Sequence, residues 1–349
     1  MSNTLGVAEA APTSAEAKSD SARPPSRRHY QSISSVPSNG TDLYLLPHLS
    51  ITPASSTTSS DTPPETIVFI HGAFSSHHTY IANANSPHLA SYHILIPDLH
   101  CSGTDTSLGI RPFSRTRVAA LIAHLIEQRA HGGRAHLVGL SLGAHISISV
   151  ATLHPEVVRE KAVVVSGYNR FQAPTWVRPV VPYFFYGLIK GPKLMPQNWV
   201  KSAMNYNEQE SAPSHDEKSN GDDPSTVGEP QGICTLSLTR ELLGPVFGFG
   251  NPDEQAADVY VSDEGLPGRI CVICATKGNW YLPSDDKIPH AKMLFEKIKG
   301  RKGVNGEGKL LVQNREMRHP WNEQDPELFA EFARAWIERG KLPDGFESC

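Results

Sequence analysis

A serine bracketed by glycines is the residue best suited to chemistry in this chain. In Gly139-Leu140-Ser141-Leu142-Gly143, the strand-like run Ala135–Val138 comes before the serine and a helix-like stretch from Ala144 to about His154 comes after it. A strand-to-helix turn this tight strains the backbone of its central residue and leaves room only for very small neighbours two positions away. The pattern predicts a nucleophilic hydroxyl that stands above a sheet edge at a helix N-terminus. There the helix dipole and the backbone N–H of Leu142 can stabilise an oxyanion.

A second motif, Ile70-His71-Gly72-Ala73-Phe74, ends the apolar run Ile67–Ile70. With the glycine-bracketed serine, it resembles the α/β-hydrolase superfamily, in particular its esterase, lipase and epoxide-hydrolase-like group with a His-Gly turn. The resemblance implies that this loop supplies the second N–H of an oxyanion hole, from Ala73 with Phe74 beside it. It also implies that His71 holds the turn and does not carry a proton.

The segment from Pro97 to Gly103 is similar to the Pro-Asp-x-x-Gly-x-Gly segment of that superfamily, but it lacks the first glycine. We expect Asp98 to brace a loop and to have no catalytic role. The resemblance extends from about Glu65 to Ile337, apart from an inserted segment, and its parts follow one another in the expected order.

The general base follows from the order serine, acid, histidine that the resemblance implies. Leu310–Val312 is the last predicted strand, and His319 follows seven residues later, directly before a terminal helix. The chain has 16 histidines, so the choice of His319 depends on position. A neutral imidazole there can take the Ser141 proton and return it to the leaving group. His145, one helical turn beyond Ser141, is expected to face away.

The acid is where the sequence departs from the family pattern. The resemblance implies a segment like Gly-x-x-Asp-x-x-x-Pro after the strand Ile270–Cys274. Alignment on Pro283 puts Asn279 at the acid position, and alignment on Ala275 puts Gly278 there. The other acid position used in this fold, after the strand Ala162–Val165, offers no carboxylate either.

Three interpretations of the acid position remain open. Asn279 orients His319 without stabilising its charged form, as amides do in some cysteine proteases. Alternatively, Asp285 or Asp286, six or seven residues further on, takes the place of the acid. In the third, the chain is a weak or non-hydrolytic relative. Replacing the acid of a serine protease by its amide lowers turnover roughly ten-thousandfold, so the choice matters.

Buried strands and amphipathic helices alternate along the chain, which predicts an α/β fold with a mostly parallel central sheet and helices on both faces. One helix is marked by apolar residues at helical spacing from Val118 to Ile126. The terminal helix has Asp325 as its N-cap, Pro326 at its first position and Gly340 where it should stop. Six apolar runs are predicted strands: Ile67–Ile70, Ile94–Ile96, Leu137–Val138, Ala162–Val165, Ile270–Cys274 and Leu310–Val312.

Composition divides the chain into a tail, a core in two parts and an insertion. Residues 1–28 are rich in Ala, Ser and Pro and are expected to be disordered. The core is predicted over 29–168, beginning with a hairpin around Asn39-Gly40, and over 267–349. Residues 169–266 break the alternation and predict a helical cap, with a mobile loop at about 208–232. Its aromatic residues either line a wall for a bulky apolar substrate or pack within the cap: Trp176, Tyr183, Phe184, Phe185, Tyr186, Phe247 and Phe249.

The overall composition restricts the classes of partner. A chain of 349 residues with 39% hydrophobic residues can bury one large core. The net charge is −4 and no basic stripe is present, so we expect no nucleic-acid partner. We also expect no metal, no organic cofactor, no integral membrane segment and a cytoplasmic enzyme. Cys271 and Cys274 should point to opposite faces of one strand, as small buried hydrophobic residues.

The function expected from these residues is hydrolysis of a carboxylic ester or thioester of an apolar small molecule through an acyl-Ser141 intermediate. Serine at the nucleophile position argues against epoxide hydrolases and haloalkane dehalogenases, which use aspartate there. Two alternatives rest on the missing acid. One is a biosynthetic tailoring enzyme that releases, cyclises or cleaves a C–C bond of a polyketide-like intermediate, and the other is a binding protein without turnover.

Overall fold

The computed structural model describes a core that spans most of the predicted hydrolase-like region. The described residues are 27–31, 43–53, 63–73, 75–99, 114–170, 176–177, 179–190, 239, 243, 261–277, 286–300 and 308–349.

The strands of the described residues are β1 (Arg27–Gln31), β2 (His48–Thr52), β3 (Thr66–Ile70), β4 (His93–Pro97), β5 (Ala135–Leu140), β6 (Val158–Ser166), β7 (Ile270–Ala275), β8 (Lys309–Asn314) and β9 (Glu347–Ser348). They form one sheet in the order β1-β2-β4-β3-β5-β6-β7-β8-β9. The six central strands, β4-β3-β5-β6-β7-β8, pair in parallel. β1 and β2 at one side of the sheet, and β9 at the other, pair antiparallel with their neighbours. The predicted mostly parallel sheet is confirmed.

The α-helices of the described residues are α1 (Ile81–Asn85), α2 (Arg115–Arg129), α3 (Leu142–Leu153), α4 (Val181–Lys190), α5 (Ile288–Lys299), α6 (Trp321–Gln324) and α7 (Pro326–Arg339). Short 3₁₀ helices lie at His77–Tyr80, Pro87–Leu89, His131–Gly133 and Pro155–Val157. In this part of the chain, no helix has the length and apolar character needed to cross a membrane.

Helices cover both faces of the sheet, as predicted. Side chains of α2, α3 and α5 belong to one buried apolar cluster, and those of α1, α6 and α7 belong to a second. Strands β3, β5 and β7 are buried along their whole length, which is typical of parallel strands covered on both sides. Cys274 lies in the first cluster and Cys271 in the second, so the two thiols point to opposite faces as expected.

The terminal helix α7 begins and ends where its sequence signals lie. The Asp325 side chain accepts a hydrogen bond of 2.9 Å from the N–H of Leu328. Pro326 occupies the first helical position, and Gly340 adopts the left-handed conformation, with φ of 61°, that ends the helix. Phe329 and Phe332 of this helix pack against the ring of Trp321, two positions after His319, and so the helix supports the loop of the candidate base.

Several of the predicted segments lie partly or wholly outside the described residues. Arg27 and Arg28 already belong to β1, so the expected tail ends two residues earlier, and residues 1–26 lie outside the described ranges. Strands β1 and β2 form the predicted antiparallel pair, whereas Asn39-Gly40 lies outside. Most of the predicted cap, including the loop at about 208–232, also lies outside the described residues.

Candidate active site

Ser141 lies at the junction between β5 and α3, where the chain turns sharply. Its backbone has φ of 57° and ψ of −116°, and it is the only non-glycine residue with positive φ in the described part of the chain. Strain of this kind costs about 1–3 kcal/mol and persists only where the surroundings enforce it. The N–H of Ser141 donates a hydrogen bond of 2.9 Å to the carbonyl oxygen of Ser166 at the end of β6. The elbow is therefore tied to the neighbouring strand.

The two glycines of the elbow are required by close backbone packing. A Cβ at Gly143 would collide with the carbonyl group of Ile70, and one at Gly139 would collide with the carbonyl oxygen of Gly143 and the hydroxyl of Ser147. Any larger side chain would push α3 away from β3 and β5. The spacing noted in the sequence thus has the steric cause expected for it.

The loop after β3 lies directly over the candidate nucleophile. A Cβ at Gly72 would be 3.2 Å from Cβ and 3.8 Å from Oγ of Ser141. Ala73 follows and is partly buried. On the other side, Leu142 is buried at the first position of α3, where backbone N–H groups have no partner within the helix. Ala73 and Leu142 therefore flank Ser141, and their N–H groups stay the predicted oxyanion donors. Phe74 lies outside the described residues.

His71 braces this loop with both ring nitrogens. Its Nδ1–H donates to the carbonyl oxygen of Gly72 at 2.8 Å, and its Nε2 accepts from the N–H of Leu99 at 3.0 Å. The side chain is fully buried, and burial lowers the pKa of its imidazole. Because both nitrogens of this neutral ring are bonded to the backbone, neither is available to exchange a proton with a substrate, and the contacts support the structural role that the resemblance implies.

Asp98 braces the same side of the sheet. Its carboxylate accepts hydrogen bonds from the backbone N–H and Nδ1–H of His77, both at 2.8 Å, and from the hydroxyl of Tyr30 at 2.9 Å. Burial by itself would raise the pKa of Asp98, but the hydrogen bond and the electrostatic interaction with His77 outweigh it and lower that pKa. These contacts fit the expected loop-bracing role.

His319 is oriented by a carboxylate. Its Nδ1–H donates a hydrogen bond of 2.6 Å to Oδ1 of Asp286. Oδ2 of Asp286 accepts a bond of 2.8 Å from the N–H of Ala275, at the end of β7. The Asp286 side chain is 1% exposed and that of His319 is 28% exposed. Burial alone would lower the pKa of His319, but the charge and hydrogen bond of Asp286 raise it above its ordinary value.

The partner of His319 differs from the residue that alignment of the motif favoured. Asn279, which alignment on Pro283 puts at the acid position, and Asp285 lie outside the described residues, whereas Asp286 makes the contact. Alignment on Ala275 or Pro283 does not reach Asp286, because it places the acid at a fixed distance from the end of β7. The usable signal is the place of Asp286 two residues before a helix with proline in its first turn.

The segment that follows β6 brings the two halves of the site together. Ser166 accepts the N–H of Ser141, as described above, and the next residue, Gly167, packs against the His319 ring. A Cβ at Gly167 would be 2.8 Å from Nδ1 of His319 and 3.4 Å from Oδ1 of Asp286. Adjacent residues of one segment, Ser166 and Gly167, therefore contact the Ser141 backbone and the His319–Asp286 pair respectively, although the three candidate residues come from three different loops.

Asn169 ends this segment and contacts the acid. Its Nδ2 lies 3.4 Å from Oδ1 of Asp286, and its Oδ1 accepts a hydrogen bond of 2.9 Å from the N–H of Lys287. Its carbonyl oxygen accepts the Nε2–H of His145 at 3.1 Å. Burial, with the charge of Arg115, lowers the pKa of His145 to about 3. His145 is thus a neutral residue whose hydrogen bond runs to the backbone.

The site has no arrangement for a metal ion among the residues that the structure describes. Within those ranges, no group of three or more His, Cys, Asp or Glu side chains is placed to hold one. The groups available for chemistry are a serine hydroxyl, an imidazole and a buried carboxylate, together with backbone N–H groups. Such a set can transfer an acyl group by nucleophilic and general acid–base catalysis.

Comparisons with known proteins agree with this architecture. Residues 67–332 match a family model described as the alpha/beta hydrolase family. An AB hydrolase superfamily protein of Gibberella zeae is 32% identical over 291 residues, which cover 81% of this chain and 83% of that protein.

Two solved structures show the same fold at low sequence identity. The carboxylesterase CesB of Bacillus subtilis superposes with a TM-score of 0.50 and 15% identity, covering 91% of this chain and 93% of that chain. MenH of S. aureus superposes with a TM-score of 0.54 and 13% identity, covering 81% and 96% respectively.

Proposed function

Because the chain belongs to the alpha/beta hydrolase family, we propose that it is a serine hydrolase that cleaves a carboxylic ester or thioester of an apolar small molecule. The observation that carries the proposal is the hydrogen bond of 2.6 Å between the His319 ring and Asp286, at the sheet edge where Ser141 sits. A buried carboxylate on Nδ1 fixes the tautomer whose Nε2 accepts a proton, which is the requirement for a general base beside a serine nucleophile.

The proposed reaction has two steps. In the first, Nε2 of His319 takes the proton of the Ser141 hydroxyl while Oγ attacks the carbonyl carbon. The tetrahedral oxyanion is stabilised by backbone N–H groups of Ala73 and Leu142, and its collapse expels the alcohol or thiol with the proton from His319. In the second, water attacks the acyl-Ser141 ester with His319 again as base. The acid is released and the serine is regenerated.

An apolar substrate is supported by the described part of the cap. Trp176, Tyr183 and Phe184 are mostly exposed and give this part of the cap an apolar aromatic surface. The two alternative functions, a tailoring enzyme and a binding protein, were motivated by a missing acid. Because Asp286 supplies a carboxylate to His319, that reason no longer applies, and hydrolysis is the function best supported.

The experiment is hydrolysis of p-nitrophenyl esters of short and medium acyl chains, combined with labelling by a fluorophosphonate probe. We expect wild-type protein to release p-nitrophenol and to carry the probe on Ser141, located by mass spectrometry, and Ser141→Ala to do neither. Ser149→Ala is the matched control, because its hydroxyl lies in the same helix but donates to the carbonyl oxygen of His145 at 3.0 Å. Unchanged ester hydrolysis in Ser141→Ala would contradict the proposal.

A further inference from the structure

Ser166 contacts both halves of the proposed site. Its carbonyl oxygen accepts the N–H of Ser141 at 2.9 Å. Its side-chain Oγ accepts the indole Nε1–H of Trp321 at 2.7 Å, and Trp321 stands two positions after His319. Ser166 is fully buried and Trp321 is 1% exposed. One residue at the end of β6 is thus bonded to the nucleophile's backbone and to the loop that carries the base.

The indole of Trp321 is a rigid support for that loop. Its ring centroid lies 4.5 Å from that of Phe329, 5.7 Å from that of Phe332 and 5.6 Å from that of Phe346. Only Pro320 separates Trp321 from His319, and proline fixes its own φ angle. Because this connection is short and stiff, a displacement of the indole would also displace the backbone of His319.

We propose that Ser166 is a positioning residue of the serine hydrolase: its hydroxyl, acting through Trp321, sets the place of His319 relative to Ser141. This inference rests on the proposed function. Loss of the Ser166 hydroxyl would leave a buried N–H donor without an acceptor, which the indole would relieve by shifting. Because a misplacement of about 1 Å in a catalytic group can cost about a hundredfold in rate, a small shift of His319 would have a large effect.

The test compares the second-order rate constant for fluorophosphonate labelling of Ser141 in wild type, Ser166→Ala, Trp321→Phe and the double variant. We expect Ser166→Ala to label roughly tenfold to a hundredfold more slowly. In the Trp321→Phe background the same change should have little further effect, because the hydrogen bond is already absent. Trp336→Phe is the matched control, since this tryptophan of α7 is also buried but its Nε1–H has no hydrogen-bond partner among the described residues, and this variant should label at the wild-type rate.

A second measurement reports the position of His319 independently of nucleophile reactivity. The Nδ1–H that bonds to Asp286 should give a downfield proton NMR signal in wild type and in Trp336→Phe, which is lost or shifted in Ser166→Ala and Trp321→Phe. Circular dichroism at the assay temperature identifies the folded variants, and Trp321→Phe carries the test if Ser166→Ala does not fold. If the wild type labels, and the folded variants label at the same rate as wild type with an unchanged Nδ1–H signal, the inference is overturned. Wild-type protein that does not label overturns the proposed function instead, and the NMR comparison still decides whether Ser166 positions His319.

Discussion

Asp286 accepts a hydrogen bond of 2.6 Å from Nδ1 of His319, although the two lie 33 positions apart in the chain. The carboxylate is almost completely buried and is itself fixed by the N–H of Ala275 at 2.8 Å. The imidazole is 28% exposed, so the ring is held on its inner side and open on the other. This asymmetry suits a base that must meet a substrate while keeping one orientation.

Replacement of Asp286 by asparagine should nearly abolish turnover. An amide can present its N–H to Nδ1 and so favour the wrong tautomer, and it cannot stabilise the imidazolium. We expect labelling of Ser141 and ester hydrolysis to fall by roughly ten-thousandfold, as for the equivalent change in a serine protease. Asp344→Asn, at an exposed position, is the control. Full loss of labelling in Asn279→Ala together with normal labelling in Asp286→Asn would instead assign the orienting role to Asn279.

The pH dependence of the reaction should carry the signature of the same pair. His319 acts as a base only when neutral, so activity falls as the pH decreases through its pKa, which Asp286 raises above the ordinary value. Removing the carboxylate lowers that pKa, and the acid limb of kcat/KM in Asp286→Asn should therefore shift to lower pH. The measurement is a pH profile of the residual rate. A limb that stays in place would mean that another group titrates.

Gly167→Ala should disable the site through a steric contact. The new Cβ would lie 2.8 Å from Nδ1 of His319, and the residue has φ of 67°. Gly132→Ala is a matched control, because Gly132 has φ of 72° but nothing within 4 Å of a Cβ. Both variants should lose about 1–2 kcal/mol of stability from the left-handed backbone, measured by chemical denaturation. Only Gly167→Ala should lose labelling, and equal labelling in the two would argue against the packing of Gly167 on His319.

Asn169→Ala should affect stability more than turnover. Its contact with Asp286 is long, at 3.4 Å, whereas Ala275 holds the other carboxylate oxygen at 2.8 Å. Its bond to the N–H of Lys287, at 2.9 Å, is the stronger one. We expect a loss of about 1–3 kcal/mol in the free energy of unfolding and a fall of less than about tenfold in labelling rate. A much larger fall in rate would show that the amide is needed to hold Asp286.

Acid should destabilise the fold through buried neutral histidines. Burial, with smaller contributions from His131 and His48, lowers the pKa of His93 from 6.5 to about 4, and burial lowers that of His136 to about 4. Between pH 6.5 and 4 the unfolded chain binds more protons than the folded one, so stability falls as the pH decreases through this window.

Removing His93 tests that linkage. The ring is 4% exposed and lies 3.0 Å from the hydroxyl of Ser50 and 3.1 Å from that of Thr66. In His93→Gln the slope of unfolding free energy against pH in this window should decrease by up to about 1.4 kcal/mol per pH unit. Denaturant titrations at several pH values measure the slope, and His29→Gln, at an exposed position, controls for the loss of an imidazole. An unchanged slope in His93→Gln would exclude this residue as a source of acid lability.

The central strands, the terminal helix and two members of the candidate site could be read from local patterns in the sequence. The elbow glycines, the buried strand runs and the caps of α7 follow from local sterics, side-chain periodicity and backbone hydrogen bonding, all of which act between residues close in the chain. Six predicted apolar runs lie within β3 to β8. Ser141 and His319 could be named because each stands at a fixed short distance from such an element.

Which carboxylate meets the imidazole depends on contacts between residues far apart in the chain. An acid has only to reach Nδ1 of His319 from the end of a strand, and the loop between β7 and α5 can vary in length without changing that reach. Spacing from Ala275 or Pro283 therefore could not find Asp286. The bond between Ser166 and Trp321 was hidden for the same reason, since their 155-residue separation closes only because the carboxyl ends of parallel strands and the loops after them converge on one edge of the sheet.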